Sequence, residues 1–363
     1  MRIKVFQDSA CFTNLREPWK ELVQADPRAT PFQTWEWQTT WFDHFGRTKR
    51  PYILAGFEGS ELAMIYPLAG RPGPWYVLRS AGTGPSDYLQ PIIRPDFQTQ
   101  AVAAIADHLS SQRDYSLIDL HQLRDDKSNV ELPEEFELEQ GRCLVLDLPE
   151  TYDAFLAMLG KSLRYDVRKL EKSLFAEGRA KIDYVDESNL HEGLEILFDQ
   201  HKRRWKKRGL PGAFLGHAQA FHHAWGKLAI RNNWLQLGIL SLDGAPIGAI
   251  YGMAMNSSVY FYQAGFDPAH KAVSPGTLLV ASLVKRAIDE GREHFDFLRG
   301  DEPYKRRWKP QREHVNVRKI AAVSGPMGEI GARWNLLGSR VEAKIRARLE
   351  GGALLGGGPN AGK

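Results

Sequence analysis

The sequence predicts a mixed α/β fold in which one unit occurs twice. Both halves show the same order, a hairpin of two apolar strands, further strands, a helix and a last strand. Apolar residues alternate along the strands and recur every three to four positions along the helices. The length of 363 residues also suits two domains. We place the junction near 148–151, which gives domains at 1–150 and 151–325 and a C-terminal segment at 326–363.

The second half shows this order most clearly. Two apolar segments are joined by Asp243 and Gly244, a pair that is typical of hairpin turns. A later stretch with helical spacing ends before Gly291, a residue suited to helix ends. The predicted elements of this half are strands at 234–242, 245–255, 259–266 and 294–298, and helices at 152–176, 187–206, 217–231 and 277–290.

The first half repeats the order with little residue identity. Its hairpin is divided by Gly59 and Ser60, and residues 1–12 are typical of a strand. The glycine-rich tail at 351–363 predicts disorder. The other predicted elements of this half are strands at 51–58, 61–70, 75–80, 88–93 and 115–120, and a helix at 97–112.

Composition leaves several classes of partner open. The net charge of +4 and the pI of about 8.9 fit an anionic small ligand, an anionic membrane surface or RNA. Cys11 and Cys143 give neither a metal-ligand spacing nor a disulfide framework, which suits a reducing compartment. Residues 1–12 lack the apolar core of a signal peptide, and no window holds about 18 uninterrupted apolar residues. We therefore expect a cytoplasmic protein.

Several well-known site motifs are missing from the sequence. It contains no GxGxxG after a strand, no GxxxxGK[ST], no HExxH and no GxSxG. His222 and His223 are adjacent and lack the spacing of metal ligands, so we interpret them as surface or capping residues. We expect no metal.

One segment, 294–310, concentrates polar groups at the end of a strand. The strand breaks at Gly300, and two acids, a proline, a tyrosine, four cations and a tryptophan follow. Asp301 and Glu302 are placed to accept a proton, and Lys305 to hold developing negative charge. The alternative is a solvated loop. Aromatic residues interleaved with the cations favour a functional site, because ligands in α/β folds bind beyond strand ends.

Three further features point to anions. The predicted helix after Ser274 begins with Pro275 and Gly276, and free N–H groups at a helix start bind phosphate. A plain N-cap with a first-turn proline is the alternative. The runs 161–172 and 201–209 are rich in Lys and Arg, although such a run taken alone is most often a solvated helix face.

The segment 328–350 predicts a basic amphipathic helix. Packing of its apolar stripe on the second domain, binding to an anionic membrane and binding to a nucleotide are the open interpretations. The stripe consists of Ile330, Trp334, Leu337, Val341, Ile345 and Leu349, and its flanking cations are Arg333, Arg340, Lys344, Arg346 and Arg348.

Residues 261–308 resemble the signature region of bacterial GNAT-type acyltransferases with a FemAB-like double-GNAT build. This branch is associated with cellulose or exopolysaccharide biosynthesis. The resemblance covers about 155–310 and includes both basic runs, and it is weaker at 31–46 and 86–93. The resemblance implies two tandem GNAT-like domains, the first degenerate, each a mixed twisted sheet flanked by helices. The usual Q/RxxGxG/A pyrophosphate loop is replaced by AVSPGT.

The resemblance also implies where the donor and the chemistry lie. Acyl-CoA would lie between the strands at 259–266 and 294–298, with its pyrophosphate on the amides at 275–278. A backbone N–H near 264–265 would stabilise the oxyanion together with Lys305. The residues implied in catalysis are Asp296, Asp301 and Glu302 as bases, Tyr304 as the acid for the thiolate, and Lys305. The residues implied in donor binding are Ala264, Gly265, Ser274, Pro275, Gly276, Thr277, Arg168 and Arg204. The residues implied in substrate binding are Trp37, Asp87, Tyr88, Tyr262, Gln263, Arg299 and Trp308.

Three functions follow from this resemblance. The first is an acyl-CoA-dependent N-acyltransferase, with an acetyl group as the expected acyl, for an amino sugar of a surface polysaccharide or its nucleotide- or lipid-linked precursor. The second is an aminoacyltransferase that uses aminoacyl-tRNA on a peptidoglycan precursor, for which the basic helices would bind RNA phosphates. The third is a non-catalytic double-GNAT module that only binds ligands.

Overall fold

A computed structural model describes most of the chain. The described residues are 1–71, 73, 76–124, 130–133, 135–206 and 212–339. The predicted disordered tail at 351–363 lies outside them. The strands are β1 Arg2–Phe6, β2 Arg50–Glu58, β3 Glu61–Arg71, β4 Val77–Ser80, β5 Ile92–Ile93, β6 Leu117–Arg124, β7 Phe136–Asp147, β8 Ala180–Tyr184, β9 Leu235–Leu242, β10 Ala245–Met255, β11 Ser258–Phe266, β12 His294–Arg299 and β13 Arg312–Ala322.

Helices cover both faces of the sheet that these strands form. The α-helices are α1 Ala10–Asn14, α2 Arg16–Ala25, α3 Trp35–Phe45, α4 Gln98–Ser111, α5 Tyr152–Met158, α6 Lys161–Leu170, α7 Leu190–Lys206, α8 His217–Arg231, α9 Pro275–Asp289, α10 Pro303–Arg306 and α11 at 325–339. Short 3₁₀ turns occupy Pro31–Gln33, Pro95–Phe97 and Pro268–Val273, and a π-turn occupies Glu171–Phe175.

The described strands form one twisted mixed sheet. Counted inward from either edge, each half of this sheet has the same arrangement of strands. The order is β1-β2-β3-β4-β6-β13-β7-β12-β11-β10-β9-β8, with β5 beside β3. In the first half β1 to β4 pair antiparallel, and β4 pairs parallel with β6 after the crossover helix α4. In the second half β8 to β11 pair antiparallel, and β11 pairs parallel with β12 after α9. The predicted duplication of one α/β unit is therefore confirmed.

The two halves exchange one strand. β7 precedes position 150 in sequence, yet it pairs with β12 of the second half. β13 follows β12 in sequence, yet it pairs with β6 of the first half. The exchanged strands also pair with each other, antiparallel, over Arg312–Ile320 and Phe136–Val145. The proposed domains at 1–150 and 151–325 thus each contribute a strand to the other.

A buried ion cluster fixes the exchanged strand β13 to β6. Asp119 is fully buried, and both of its oxygens accept hydrogen bonds from Arg318 of β13, at 2.6 and 2.9 Å. Arg79 of β4 donates to the same carboxylate at 2.8 Å. Burial alone would raise the pKa of Asp119, but His121 and the two arginines outweigh it and hold the pKa well below its usual range. The carboxylate therefore stays charged and paired inside the sheet.

The core continues across both halves on one face of the sheet. Trp19 and Trp37 from the first half and Phe221 and Trp225 from the second half belong to the same cluster of buried side chains. On the opposite face, α4 covers the first half, while α5, α6 and α9 cover the second half with a separate core. The shared core positions α3 against α8, which brings the first half to the edge of the site described below.

The sequence prediction differs from the structure in a few elements. The predicted helix at 152–176 is broken at Leu159, whose extended backbone separates α5 from α6, and it continues into the π-turn. The predicted strand at 88–93 is a strand only at Ile92–Ile93. β7, β8, β13, α10 and the first-half helices α1 to α3 were not predicted. The strand predicted at 1–12 is confirmed only at Arg2–Phe6, since α1 begins at Ala10. The other predicted strands and helices are confirmed with small shifts at their ends.

The C-terminal helix α11 packs through small residues and leaves its apolar stripe exposed. Gly328, Gly331 and Ala332 are buried against the sheet. Ile330 is 54% exposed, Trp334 68% and Leu337 58%. The packing interpretation of the stripe is therefore wrong for these three residues, and the remaining part of 328–350, from 340 onward, lies outside the described residues.

Gly265 allows β11 to approach α7, and this contact is testable. A Cβ at Gly265 would lie 2.2 Å from the backbone nitrogen of His201, which cannot move as a side chain can. Gly265→Ala is therefore expected to lower the free energy of unfolding by about 2–3 kcal/mol in urea denaturation. Gly338→Ala is the control, because nothing lies within 4 Å of a Cβ there. Equal stability of the two variants would contradict the tight contact.

Candidate active site

The site begins where two parallel strands separate. β11 and β12 pair only over Ser258–Tyr260 and His294–Asp296, although both strands continue beyond these residues. The edge of β11 that faces β12 therefore has no strand beside it after Tyr260. Such a gap exposes backbone N–H and C=O groups to whatever occupies it.

A bulge in each strand lies beside this gap. In β11, Phe261 pairs with Gly252 and Gln263 pairs with Tyr251, so Tyr262 has no opposite residue on β10. In β12 the pairing with β7 shifts by one residue between Asp296 and Arg299, and Leu298 has a positive φ of 54°. Bulges turn the backbone and side chains away from the regular pleat. Both strand ends are thereby directed into the same cleft.

The cleft has a volume of about 500 Å³ and is lined by both halves of the chain. The two strands supply its floor, and the end of α7, residues before and within α8, and a first-half loop form its walls. The sequence-predicted residues that line it are Asp87, Arg204, Tyr262, Gln263, Ala264, Arg299, Glu302, Tyr304 and Lys305.

The first-half loop at 84–87 is fixed by three side chains. The Tyr262 hydroxyl donates to the carbonyl of Pro85 at 2.8 Å, and Arg299 pairs with Asp87 at 3.1 Å. Trp37 holds the loop from behind, since its Nε1 donates to Ser86 Oγ at 2.8 Å. Trp37 is completely buried, so it supports the wall of the cleft and does not line it.

The cationic end of the cleft contains Arg204 and lies beside the start of α9. Arg204 donates to the carbonyl of Ala264 at 3.1 Å and stacks over the ring of Phe266 at 4.9 Å. A Cβ at Gly276 would lie 3.3 Å from the same ring. Phe266 therefore separates the guanidinium from the first turn of α9, and the two predicted anion-binding elements are neighbours.

The amides at this helix start are only partly free. Ser274 adopts a left-handed conformation, and its carbonyl accepts from the amides of Thr277 and Leu278 at 2.9 and 3.3 Å. Pro275 has no N–H, which leaves the amide of Gly276 as the one without an acceptor among the described residues. The residues Ser274, Pro275, Gly276 and Thr277 stand behind Phe266 and do not line the cleft.

The ammonium of Lys305 organises the loop after β12. It is almost fully buried and donates to the carbonyls of Arg299 and Gly300 at 2.9 and 3.1 Å. It also pairs with Glu302 at 3.0 Å. Its three protons therefore have acceptors within the chain, and the pair places the exposed Glu302 carboxylate at the edge of the cleft.

Asp296 lies beneath the cleft. Its carboxylate accepts from the Tyr88 hydroxyl at 2.7 Å and from the amide of Leu298 at 2.7 Å. Burial raises the pKa of Asp296. Both contacts brace the β12 bulge, and Tyr88 brings the first half to it, so these two buried residues position the site from below.

Three predicted site residues lie elsewhere. Trp308 is buried and stacks on Phe155 at 6.2 Å between ring centres. Asp301 pairs with Arg306 at 2.8 Å, and these hydrogen bonds lower the pKa of Asp301. Arg168 is exposed on α6, and its nearest acid is Asp153 at 3.8 Å. None of the three lines the described part of the cleft.

Sequence reasoning missed the histidine that lines the cleft. His222 is buried among aromatic rings, and no hydrogen-bond partner lies near its Nδ1 among the described residues. Burial lowers the pKa of His222 to about 3, so the imidazole is neutral. The interpretation of His222 as a surface or capping residue was wrong. His222 directly follows Phe221 and lies three residues before Trp225, so helical spacing places it on the buried face of α8. This spacing was the available signal.

The cleft opens where the parallel pair of β11 and β12 separates beside the crossover helix α9. Residues 161–306 match the family model described as an acetyltransferase (GNAT) domain. This range runs from the start of α6 to the end of α10 and contains both strands of the gap. This part of the chain is therefore similar to GNAT acetyltransferase domains.

Solved structures share the fold of nearly the whole chain. FemX superposes with a TM-score of 0.65 at 10% identity, over 92% of this chain and 100% of that one. The C-terminal domain of a candidate lysylphosphatidylglycerol synthetase from Agrobacterium fabrum gives 0.54 at 13% identity, over 91% and 97%. L-PGS from Bacillus licheniformis gives 0.51 at 13% identity, over 82% and 95%. A search of curated proteins found no match.

The buried histidines make stability depend on pH. Burial lowers the pKa of His222 to about 3, and burial with Arg204 lowers that of His201 to about 4. In the unfolded chain these two imidazoles take up protons near pH 6.5. In the folded chain they do so only at a much lower pH. We expect the free energy of unfolding to fall as pH drops from about 6.5 to 4, by about 1.4 kcal/mol per pH unit for each differential proton.

The variant His222→Asn tests this assignment. It removes one differential proton, so the slope of unfolding free energy against pH should decrease by about one proton in urea titrations between pH 4 and 6.5. The exposed His217 on α8 provides the control, and His217→Asn should keep the wild-type slope. An unchanged slope in His222→Asn would mean that this imidazole is not held neutral in the folded protein.

Proposed function

We propose that the protein is an N-acyltransferase that takes an acyl group from acyl-CoA and transfers it to an amine bound in the cleft. The separation of β11 from β12 carries this proposal. It offers an extended, unpaired backbone edge for the pantetheine arm and ends at a polar cleft that holds candidate acid and base groups. A cleft of this size falls within the range of about 300–1,000 Å³ that is usual for small-ligand sites.

The acyl carbonyl would lie at the β11 bulge. Transfer requires the amine nitrogen to attack the thioester carbon, so that a C–N bond forms and the C–S bond breaks. The tetrahedral oxyanion needs donors, and the backbone at Tyr262 and Gln263 is turned toward the cleft by the bulge. This position is two residues before the 264–265 amides implied by the family resemblance, and it replaces them in the proposal.

Glu302 is the acid group best placed to take the proton from the amine. It is the only one of the three predicted bases that lines the described cleft. Lys305 then acts as a positioning residue, because its protons hold Glu302 and two carbonyls of the loop. Tyr304 lines the same wall and is placed to protonate the departing thiolate.

The likeness to FemX favours aminoacyl-tRNA as the second candidate donor. The similarity extends over both halves of the chain and therefore includes the cleft between them. An aminoacyl ester would use the same bulge and the same base. In this reaction the leaving group is a hydroxyl of the tRNA, whereas it is the CoA thiol with acyl-CoA. The protein would also need a wide basic surface to bind the phosphates of the tRNA.

Donor binding separates these candidates. Titration of the full chain with acetyl-CoA by calorimetry is expected to give one saturable site. Arg204→Gln should weaken this binding about tenfold, because the guanidinium at the end of the gap is placed to pair with donor phosphate. Arg203→Gln is the control, since that neighbour is exposed and pairs with Asp199 and Asp267 outside the cleft.

Each outcome of this titration has a defined meaning. Binding of aminoacyl-tRNA without acetyl-CoA would replace the donor class and keep the acyltransferase site. Binding of acetyl-CoA without turnover on any amine would favour the non-catalytic module. Equal affinities of the Arg204 and Arg203 variants would place the phosphates away from α7.

We propose an amino sugar of a surface polysaccharide, or its nucleotide- or lipid-linked precursor, as the acceptor. The cleft walls present both acidic and basic groups, Asp87 with Arg299 and Glu302 with Lys305, which suits a polyhydroxylated amine. Acyl transfer to glucosamine, UDP-glucosamine and a peptidoglycan peptide amine, followed by mass spectrometry, identifies the acceptor class.

We also propose that α11 binds the surface of an anionic membrane. No helix in the described part of the chain is long and apolar enough to cross a bilayer. Exposed Ile330, Trp334 and Leu337 instead form a stripe along one side of α11, with Arg333 beside it. Amphipathic helices of this kind lie in the interface, and each nearby cation contributes about 1 kcal/mol with anionic lipids. A nucleotide bound by the same arginines is the competing interpretation.

Vesicle co-sedimentation tests the membrane proposal. The full chain is expected to sediment with vesicles that contain phosphatidylglycerol, and Trp334→Ser should reduce the bound fraction severalfold because the indole anchors at the interface. Tyr165→Ser is the matched control, since this aromatic residue is 64% exposed on α6, away from the stripe. Vesicle binding that is equal in both variants, or absent in the full chain, would contradict the proposal.

A further inference from the structure

We propose that His191, Glu195 and His223 form a binding site for a divalent transition-metal ion, Zn²⁺ in particular, that joins α7 to α8. The three side chains each offer one ligand atom, and these atoms lie within 4.8 Å of one another. The site is separate from the cleft, because none of the three residues lines it.

The helices bring the three groups together. His191 and Glu195 are four residues apart on α7 and therefore lie on the same face of that helix. His223 of α8 faces them, and its Nε2 lies 2.8 Å from Glu195 Oε1. The rings of His191 and His223 stack with their centres 4.8 Å apart. The sequence prediction of no metal relied on the spacing of neighbouring residues. His223 lies 28 residues from Glu195, so this criterion could not detect the pair.

The separations suit a metal after small side-chain adjustments. Zinc bonds to imidazole nitrogen and carboxylate oxygen are about 2.0–2.2 Å long, so tetrahedral ligand atoms lie roughly 3.4 Å apart. The Glu195–His223 pair is already closer than this distance. His191 and Glu195 are exposed on the helix surface, so a rotation about their side-chain bonds closes the remaining gap.

The chemistry of the ligands selects the type of metal. Two imidazoles and one carboxylate suit Zn²⁺ and its neighbours in the transition series, whereas Mg²⁺ and Ca²⁺ prefer oxygen ligands alone. The ring of His223 is held edge-on against Phe198 at 5.5 Å, which orients one ligand from behind. Three protein ligands leave one coordination position for water.

The position of the site connects it to the cleft. His223 directly follows His222, which lines the cleft, and α7 ends near Arg204, which lines the opposite wall. A metal bound between the helices would therefore fix the two walls relative to each other. Its role would be to brace the site, and the acyl-transfer chemistry does not depend on it.

Metal binding by the full chain tests this proposal. Calorimetric titration of metal-free protein with ZnCl₂ is expected to show one equivalent bound, with an increase in Tm that EDTA reverses. His191→Ala and His223→Ala should each weaken Zn²⁺ binding by at least about tenfold. The controls are His217→Ala and Glu192→Ala, which remove exposed side chains from the same two helices and should leave Zn²⁺ affinity unchanged.

The possible results are distinct. Unchanged Zn²⁺ affinity in both ligand variants, or no binding at micromolar Zn²⁺, would overturn the site. Circular dichroism and the metal-free Tm show whether a variant is folded, and Glu195→Gln provides a third variant that keeps the size of the side chain. Failure of the donor titration leaves this result intact, because Zn²⁺ binding is measured without acyl donor or amine.

Discussion

The exchange of β7 and β13 is the constraint on which the rest of the structure depends. Each half of the sheet is completed by a strand that belongs, in sequence, to the other half. The two units therefore cannot rotate about a linker as independent domains do, because main-chain hydrogen bonds cross their boundary at several strands. A cleft lined by both halves keeps its shape only if the halves are fixed in this way.

Geometry at the cleft comes from local breaks in an otherwise regular sheet. The parallel pair ends after Tyr260 and Asp296, and a bulge follows in each strand. Buried groups maintain these breaks. Asp296 accepts a hydrogen bond from the amide at the β12 bulge, and Lys305 donates hydrogen bonds to carbonyls of the loop that follows. Asp296 and Lys305 thus satisfy backbone groups, while Arg299, Asp301 and Arg306 form ion pairs with side chains of the same chain.

The sequence predicted those elements whose signals are local. The hairpin of β9 and β10 follows from Asp243 and Gly244, and α9 follows from its apolar spacing. β13 was missed because it carries several charges for a central strand. Those charges are neutralised by distant acids, as Arg318 is by Asp119 and Lys319 is by Glu135. Such partners become visible only when the chain is folded.

The candidate site was predicted in part for the same reason. Residues on β11, on β12 and in the loop that follows were identified because the motif is continuous in sequence. Trp308 was placed in the site because it lies among cations, and Trp37 because of the family resemblance. Both indoles are buried, and burial of an indole in the core is favourable in itself. The spacing of α8 could have indicated that His222 is buried, but that it lines the cleft became visible only with the opposite wall in place.

The strand order also determines when the protein can finish folding. During synthesis the first half emerges with the edge of β6 unpaired, and its partner β13 is made much later, since Asp119 and Arg318 are 199 residues apart. The nascent chain must keep a long, partly apolar sheet edge from pairing with other chains throughout that interval. The centre of the sheet therefore cannot close until β13 has been made, which is late in the synthesis of the described chain.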